Sequence, residues 1–167
     1  GNPPCSDTIR DNIDKDFSII NHLMEDFRPP KELRRGRQNI QKQINNPFMQ
    51  FLRWSCKKLL DSPNHSVLSL VVPLSFLEAE SYKYARKYLC ENFSDAWIVS
   101  VDADARTGAR SDSLFHTLQG RAVIVLTRKY RDDTSITKLH YCDYSHCMRI
   151  NKEQLLNESI EKIVSRF

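Results

Sequence analysis

Hydrophobic and polar positions along the chain change their period several times, and each change marks an element. Residues 7–43 are mostly charged or amide-bearing, with apolar clusters at 17–20 and 23–27. These clusters predict one short helix, stopped by Pro29 and Pro30, which lack amide donors. A second, basic helix is expected after them. From Pro47 the apolar residues Phe48, Phe51, Leu52, Cys56 and Leu59 recur at three- and four-residue steps. That is one face of an amphipathic helix with proline in its first turn. A turn over 61–64 leads into 66–72 (SVLSLVV), a short, nearly continuous apolar run predicted to be a strand covered on both faces and ended by Pro73. Over 78–92, Tyr82, Ala85, Tyr88 and Leu89 share a face, with Lys83, Arg86 and Lys87 largely opposite, as in a helix packed on a sheet. Residues 96–101 (AWIVSV), 122–127 (AVIVLT) and 136–141 read as three more strands. A closing helix is predicted over 151–164, with Asn151 as its cap and Gln154 as the capping-box partner. Strands and helices in this order predict an α/β layered domain.

Composition sets outer limits on this picture. A chain of 167 residues that is 40% apolar is long enough for one core and too short for two. Its longest apolar stretch, 66–77, contains three serines and a proline and is shorter than the roughly 20 residues a membrane helix needs, so a soluble protein is expected. No basic segment followed by an apolar run precedes the patterned part, so no signal peptide is expected. The chain opens on Gly1 rather than Met and reads as a piece of something longer. Cysteines at 5, 56, 90, 142 and 147 are odd in number and point to reduced thiols and a cytoplasmic location. The charge of +4, from 25 basic and 21 acidic residues, permits a polyanionic partner without requiring one.

Candidate chemistry is concentrated at the first residues, Gly1-Asn2-Pro3-Pro4-Cys5. Two prolines fix φ and remove donors, leaving carbonyl oxygens and the Asn2 side-chain oxygen as rigid acceptors. Such a loop suits an exocyclic amine, whose hydrogens must be held while its lone pair is directed at an electrophile. Arg34, Arg35 and Arg37, with Lys42, form a basic cluster that reads either as a set of phosphate contacts or as a solvated helix face. Arg106 and Arg110 sit on a polar loop, as backbone contacts for DNA or as partners of Asp102, Asp104 or Asp112. His140, Cys142, His146 and Cys147 lack the spacing of paired Cys-x-x-Cys hooks, and structural imidazoles and thiols are expected there rather than a metal. No nucleophile-elbow signature supports a hydrolase.

Asn2-Pro3-Pro4-Cys5 resembles the Asn-Pro-Pro-Tyr motif of DNA adenine-N6 methyltransferases, and the resemblance continues downstream in family order. The run 44–54 (INNPFMQFLRW) is similar to the helix after the catalytic loop in the large single-polypeptide restriction-modification enzymes. The runs 71–77 (VVPLSFL) and 84–89 (YARKYL) are similar to their strand, proline-containing turn and Arg-bearing helix. The block 101–110 (VDADARTGAR), then Phe115 and 119–125 (QGRAVIV), resembles the family's run into the last core strand. Residues 139–143 (LHYCD), with Lys152 and Leu155 beyond them, resemble the segment that follows.

This resemblance implies a Rossmann-like, S-adenosylmethionine-dependent fold of which the chain holds only the second half of the sheet. It would be one partial domain over 1–167: a catalytic-loop and polar region at 1–46, a core at 47–130, and an extension with the closing helix at 131–167. The implied activity is methyl transfer to adenine N6 in double-stranded DNA within a restriction-modification enzyme. Asn2 and the Pro3 carbonyl would accept hydrogen bonds from the amine, in the loop completed by Pro4 and Cys5. Phe115 would stack on or contact the flipped base, set against the alternative of a core Phe before a buried strand. Two departures bear on this. Cys5 stands where the family has an aromatic residue, and glycines 1, 36, 108 and 120 are isolated, with no Gly-x-Gly loop, so the donor site is expected mostly outside this chain, in a missing N-terminal half. The alternative reading is a module derived from a methyltransferase that binds DNA or a partner chain without chemistry.

Overall fold

A computed structural model describes residues 18–34, 36, 43–63, 65–105, 113–115, 117–128 and 136–166. Helix α1 (Ser18–Leu23) runs into a 3-10 turn at Met24–Phe27. Arg28 then turns extended, as a residue before proline must. A 3-10 turn, Lys31–Leu33, follows, and most of 35–42, where the basic helix is expected, lies outside the described residues. Helix α2 (Pro47–Asp61) starts where the pattern predicts, with Pro47 in its first turn and the Asn46 side chain accepting from the Met49 amide at 2.9 Å. It buries Phe48, Met49, Leu52, Cys56 and Leu59.

Arg53 is buried on the same helix, which the apolar pattern does not announce. Its guanidinium lies 4.7 Å from the Tyr88 ring centre, donates to the Leu23 carbonyl and pairs with Asp26, so it fastens α1 to α2. Burial pushes the Cys56 thiol up to about 12, which leaves it protonated and inert; Cys90 is exposed.

The sheet comprises β1 (Val67–Pro73), β2 (Phe93–Asp102), β3 (Arg121–Arg128) and β4 (Lys138–Asp143), in the order β1-β3-β2-β4. Strand β3 is antiparallel to both neighbours, and β4 is parallel to β2, so this α/β domain has a mixed sheet. Between β1 and β2 run α3 (Ser75–Glu78), a 3-10 turn (Glu80–Tyr82) and α4 (Lys83–Asn92). Leu70 and Val72 of β1, Ala122, Ile124 and Leu126 of β3 and Ala96 of β2 join α2 and α4 in one core. Phe76 fills its centre, with ring centroids 5.7 Å from both Phe48 and Tyr82.

Three expectations are corrected. Strand β1 is not covered on both faces, since Val67 and Ser69 are exposed on one of them; it also lies at an edge, pairing with β3 alone among the described residues, and it includes Pro73. The helix expected over 78–92 is interrupted at Ala79, which is extended; Arg86 donates to the Phe76 and Ala79 carbonyls, both at 2.8 Å, satisfying acceptors the break leaves open. The closing helix is two, α5 (Arg149–Leu156) and α6 (Ile160–Val164). Asn151 does not cap it, because the chain is already helical from Arg149; Met148 is the extended cap residue, and Ser159 caps α6. Among the described residues no helix is long and apolar enough to cross a membrane.

Candidate nucleic-acid interface

The best-defined polar site lies where β2 ends. Burying Asp102 without partners would be costly, since a carboxylate loses its hydration there. Its oxygens instead accept from the Ser113 hydroxyl at 2.8 Å, the Leu114 amide at 3.0 Å, the Phe115 amide at 3.2 Å and the Lys152 ammonium at 3.1 Å. Asp102 is 0% and Lys152 1% exposed. Lys152 comes from α5, fifty residues further along, and also donates to the Ser145 carbonyl at 3.4 Å. One carboxylate therefore holds three consecutive loop residues and one helix.

The ends of this loop are closed by backbone contacts. The Gly120 carbonyl accepts from the Leu74 amide at 2.8 Å, and the Leu118 carbonyl accepts from the Ala105 amide at 2.9 Å. A Cβ on Gly120 would lie 2.8 Å from the Asp102 carbonyl oxygen and 3.0 Å from the Asp104 nitrogen, so only glycine fits the loop's return to β3. Pinned in this way, the loop shows apolar groups to solvent: Phe115 is 39% and Leu118 72% exposed. Phe115 is therefore not a core residue, and its ring stands at the surface on a fixed backbone.

Burial acts to raise the Asp102 carboxyl, but the Leu114 amide, the Ser113 hydroxyl, the Phe115 amide and the Lys152 ammonium together outweigh it and hold the group below the usual aspartate range. A carboxyl depressed in the fold takes up its proton at lower pH than in the unfolded chain. Its stabilisation is thus complete above the ordinary aspartate value, about 3.9, and is lost as pH falls below it toward the folded value. Urea denaturation across an acid series checks this. Stability of the parent and of Asp102→Asn should run parallel above about pH 5 and converge below about pH 4. Convergence that begins well above that range would mean a raised carboxyl and would contradict the assignment.

The other sequence candidates are placed as follows. Arg34 is described, and its guanidinium is engaged internally, donating to the Pro29 carbonyl at 2.7 Å and to Glu25 at 2.9 Å. Arg28 shares Glu25 and reaches Asn45 at 2.8 Å, so the start of the basic cluster forms a structural network. Asn2, Pro3, Pro4, Cys5, Arg35, Arg37, Arg106 and Arg110 lie outside the described residues. On β4, His140 and Cys142 share a face, with His146 and Cys147 in the turn beyond. His140 stacks on Trp97 at 3.7 Å and faces Asp95 at 3.3 Å. Among the described residues no three His, Cys, Asp or Glu side chains are grouped to hold a metal.

Sequence reasoning missed Lys152 as the partner of Asp102, for which it weighed Arg106 and Arg110. The available signal was a lone aspartate closing an apolar strand: a charge at a strand end that enters the core needs a cation from somewhere in the fold.

No protein-family model matches the sequence, and no curated protein matches it significantly. Among solved structures the chain is similar to the ATP-dependent Type ISP restriction-modification enzyme LlaBIII bound to DNA, with a TM-score of 0.78 and 21% identity over 100% of this chain and 11% of that one. It is similar to a nuclease-deletion mutant of the Type ISP restriction-modification enzyme LlaGI in complex with a DNA substrate mimic, with a TM-score of 0.71 and 20% identity over 94% of this chain and 13% of that one. A DrdV–DNA complex also matches, with a TM-score of 0.71 and 20% identity over 98% of this chain and 16% of that one. At these identities the likeness shows the fold. The chain spans 11% to 16% of the length of these enzymes.

Proposed function

We propose that this chain is the base-facing half of a DNA adenine-N6 methyltransferase domain inside a restriction-modification enzyme. The observation that carries the reading is the fold match to LlaBIII over the whole chain, beside a sequence that opens on Asn2-Pro3-Pro4. All three neighbours are DNA complexes, and double-stranded DNA is the partner proposed here. In this reading the sheet belongs to a Rossmann-like methyltransferase fold, and a cytoplasmic location follows from the substrate.

The Asn2 side chain and the Pro3 carbonyl accept the two N6 hydrogens of a flipped adenine, which turns the nitrogen lone pair toward the methyl donor. Phe115 supplies an apolar face for the base, and Arg35, Arg37, Arg106 and Arg110 are assigned to phosphates. The described residues do not form a site for S-adenosylmethionine. Gly120 is committed to closing the Asp102 loop and Gly36 stands in a turn, so neither belongs to a glycine loop between a strand and a helix. The donor site is assigned to the rest of the parent polypeptide.

Cys5 favours a second reading, because the family's aromatic is absent at the position that stacks on the base. A stacking contact is worth about 1–3 kcal/mol per base in single-strand binders. A module that keeps DNA binding and lacks turnover would follow. Incubating the native polypeptide that carries this chain with labelled S-adenosylmethionine and unmethylated plasmid DNA separates the two. Label in the DNA supports the enzyme; retention of DNA on the protein without label supports the binding module.

A further inference from the structure

We propose that Lys152 is a positioning residue for Phe115, acting through Asp102 from a helix that itself never approaches the base. The inference deepens the proposed function, and rests on it for what Phe115 contacts.

Asp102 has two oxygens, and both are used: one accepts from the Leu114 amide and Lys152, the other from the Ser113 hydroxyl and the Phe115 amide. Two amides and a hydroxyl favour the charged form of this buried carboxylate, and Lys152 is the cation set against it at 3.1 Å. Without that cation a negative charge is left buried with no counter-charge, so the end of β2 and the loop must open to let water reach it. Hydration of the carboxylate then competes with its bonds to the loop. Three consecutive loop residues depend on those oxygens, and Phe115 is the last of them. Two other ties among the described residues, Leu118 to Ala105 and Gly120 to Leu74, lie beyond Phe115.

Lys152 is itself set in place. Tyr144 donates to the Ser100 carbonyl at 2.8 Å, which docks the turn after β4 against β2. Ser145 in that turn is buried and offers its carbonyl to Lys152 at 3.4 Å. Helix α5 carries Lys152 on its one buried position among the described side chains, while Arg149, Glu153 and Asn151 face outward. A single ammonium therefore joins the turn after β4, the end of β2 and the loop that displays Phe115.

Amide hydrogen exchange on Lys152→Met tests the structural half without relying on turnover. Exchange at Leu114 and Phe115 should rise by about tenfold or more through a denaturant-independent local opening, while any rise at Ile124 and Leu126 in β3 should follow denaturant, as global unfolding does. A residue that only supports the fold would speed Leu114 and Phe115 through the same denaturant-dependent opening as β3. Asp102→Asn/Lys152→Met carries no unpaired buried charge and serves if the single variant does not accumulate; it should show the same local loosening. Unchanged protection of Leu114 and Phe115 in the folded variants overturns the proposal.

The functional half is read on the native polypeptide, as kcat for methyl incorporation into unmethylated plasmid DNA. Phe115→Ala should lower kcat by about tenfold, within the range of a lost base stack. Lys152→Met should lower it similarly, and the combination should be no worse than Phe115→Ala alone. Additive losses would place Lys152 on a separate route and reject the coupling. If Phe115→Ala leaves kcat unchanged, the base contact fails while the exchange result still decides whether Lys152 holds the loop.

Discussion

Lys152→Met should lower the stability of the folded chain by about 3–5 kcal/mol, the range found when one partner of a buried ion pair is removed. The size follows from what is left behind. Asp102 would remain 0% exposed with no counter-charge, and relieving that burial by hydration would weaken its bonds to Ser113, Leu114 and Phe115. Methionine fills nearly the same volume, so the loss is electrostatic rather than a cavity. Asp102→Asn/Lys152→Met should recover part of the loss, because replacing both members of a buried pair leaves no lone charge. Urea denaturation of the three proteins measures this. A loss below about 1 kcal/mol for Lys152→Met would place the pair among exposed ion pairs, whose contributions are of that size.

The second large effect is expected outside the described residues. Asn2→Ala should reduce methyl transfer by about 10²–10³, the loss seen when one preorganised hydrogen-bonding group is removed from a reacting centre. Alanine keeps the proline-fixed backbone and the Pro3 carbonyl, and it deletes the one side-chain acceptor the loop offers the amine. The loss should appear in kcat, with binding of DNA nearly unchanged, because phosphate contacts dominate affinity. Single-turnover methylation beside filter binding checks the split. Equal rates for Asn2→Ala and the parent would remove Asn2 from the site.

How much of this was legible in the sequence depended on the kind of signal. Helix α2 was legible because a 3.6-residue period and Pro47 agree; its cap, Asn46, is seen only in the structure. The strands were legible as apolar runs, but their partners were not. Nothing in 66–72 states that β1 pairs with β3 alone among the described residues, or that β3, last of the three in sequence, inserts between β1 and β2. Pairing is decided by tertiary packing, and a continuous apolar run reads alike at an edge and at a centre. The closing helix failed at its boundaries for a related reason: Asn151 has cap chemistry, yet the chain is already helical from Arg149, with Met148 as the extended cap residue.

The site divides in the same way. Phe115 was named from the resemblance, and the fold sets it on the surface, although a core role fitted its place before a strand equally well. Arg34 belonged to a basic cluster that composition alone offered to DNA, and it is tied to Glu25 and Pro29. Long-range pairs such as Asp102 with Lys152, or Arg53 with Asp26, leave no local pattern. They follow from the rule that buried charges find partners, which says that a partner exists and not where it lies.

The account turns on one chemical claim, that the base served by this half-domain is adenine and the position methylated is its exocyclic amine. Mass spectrometry of nucleosides from unmethylated plasmid DNA, after incubation with the native polypeptide and S-adenosylmethionine, addresses it directly. The account predicts N6-methyladenine, present with the parent protein and absent or greatly reduced with Asn2→Ala. A methylated cytosine, or methylation that survives intact in Asn2→Ala, would contradict it.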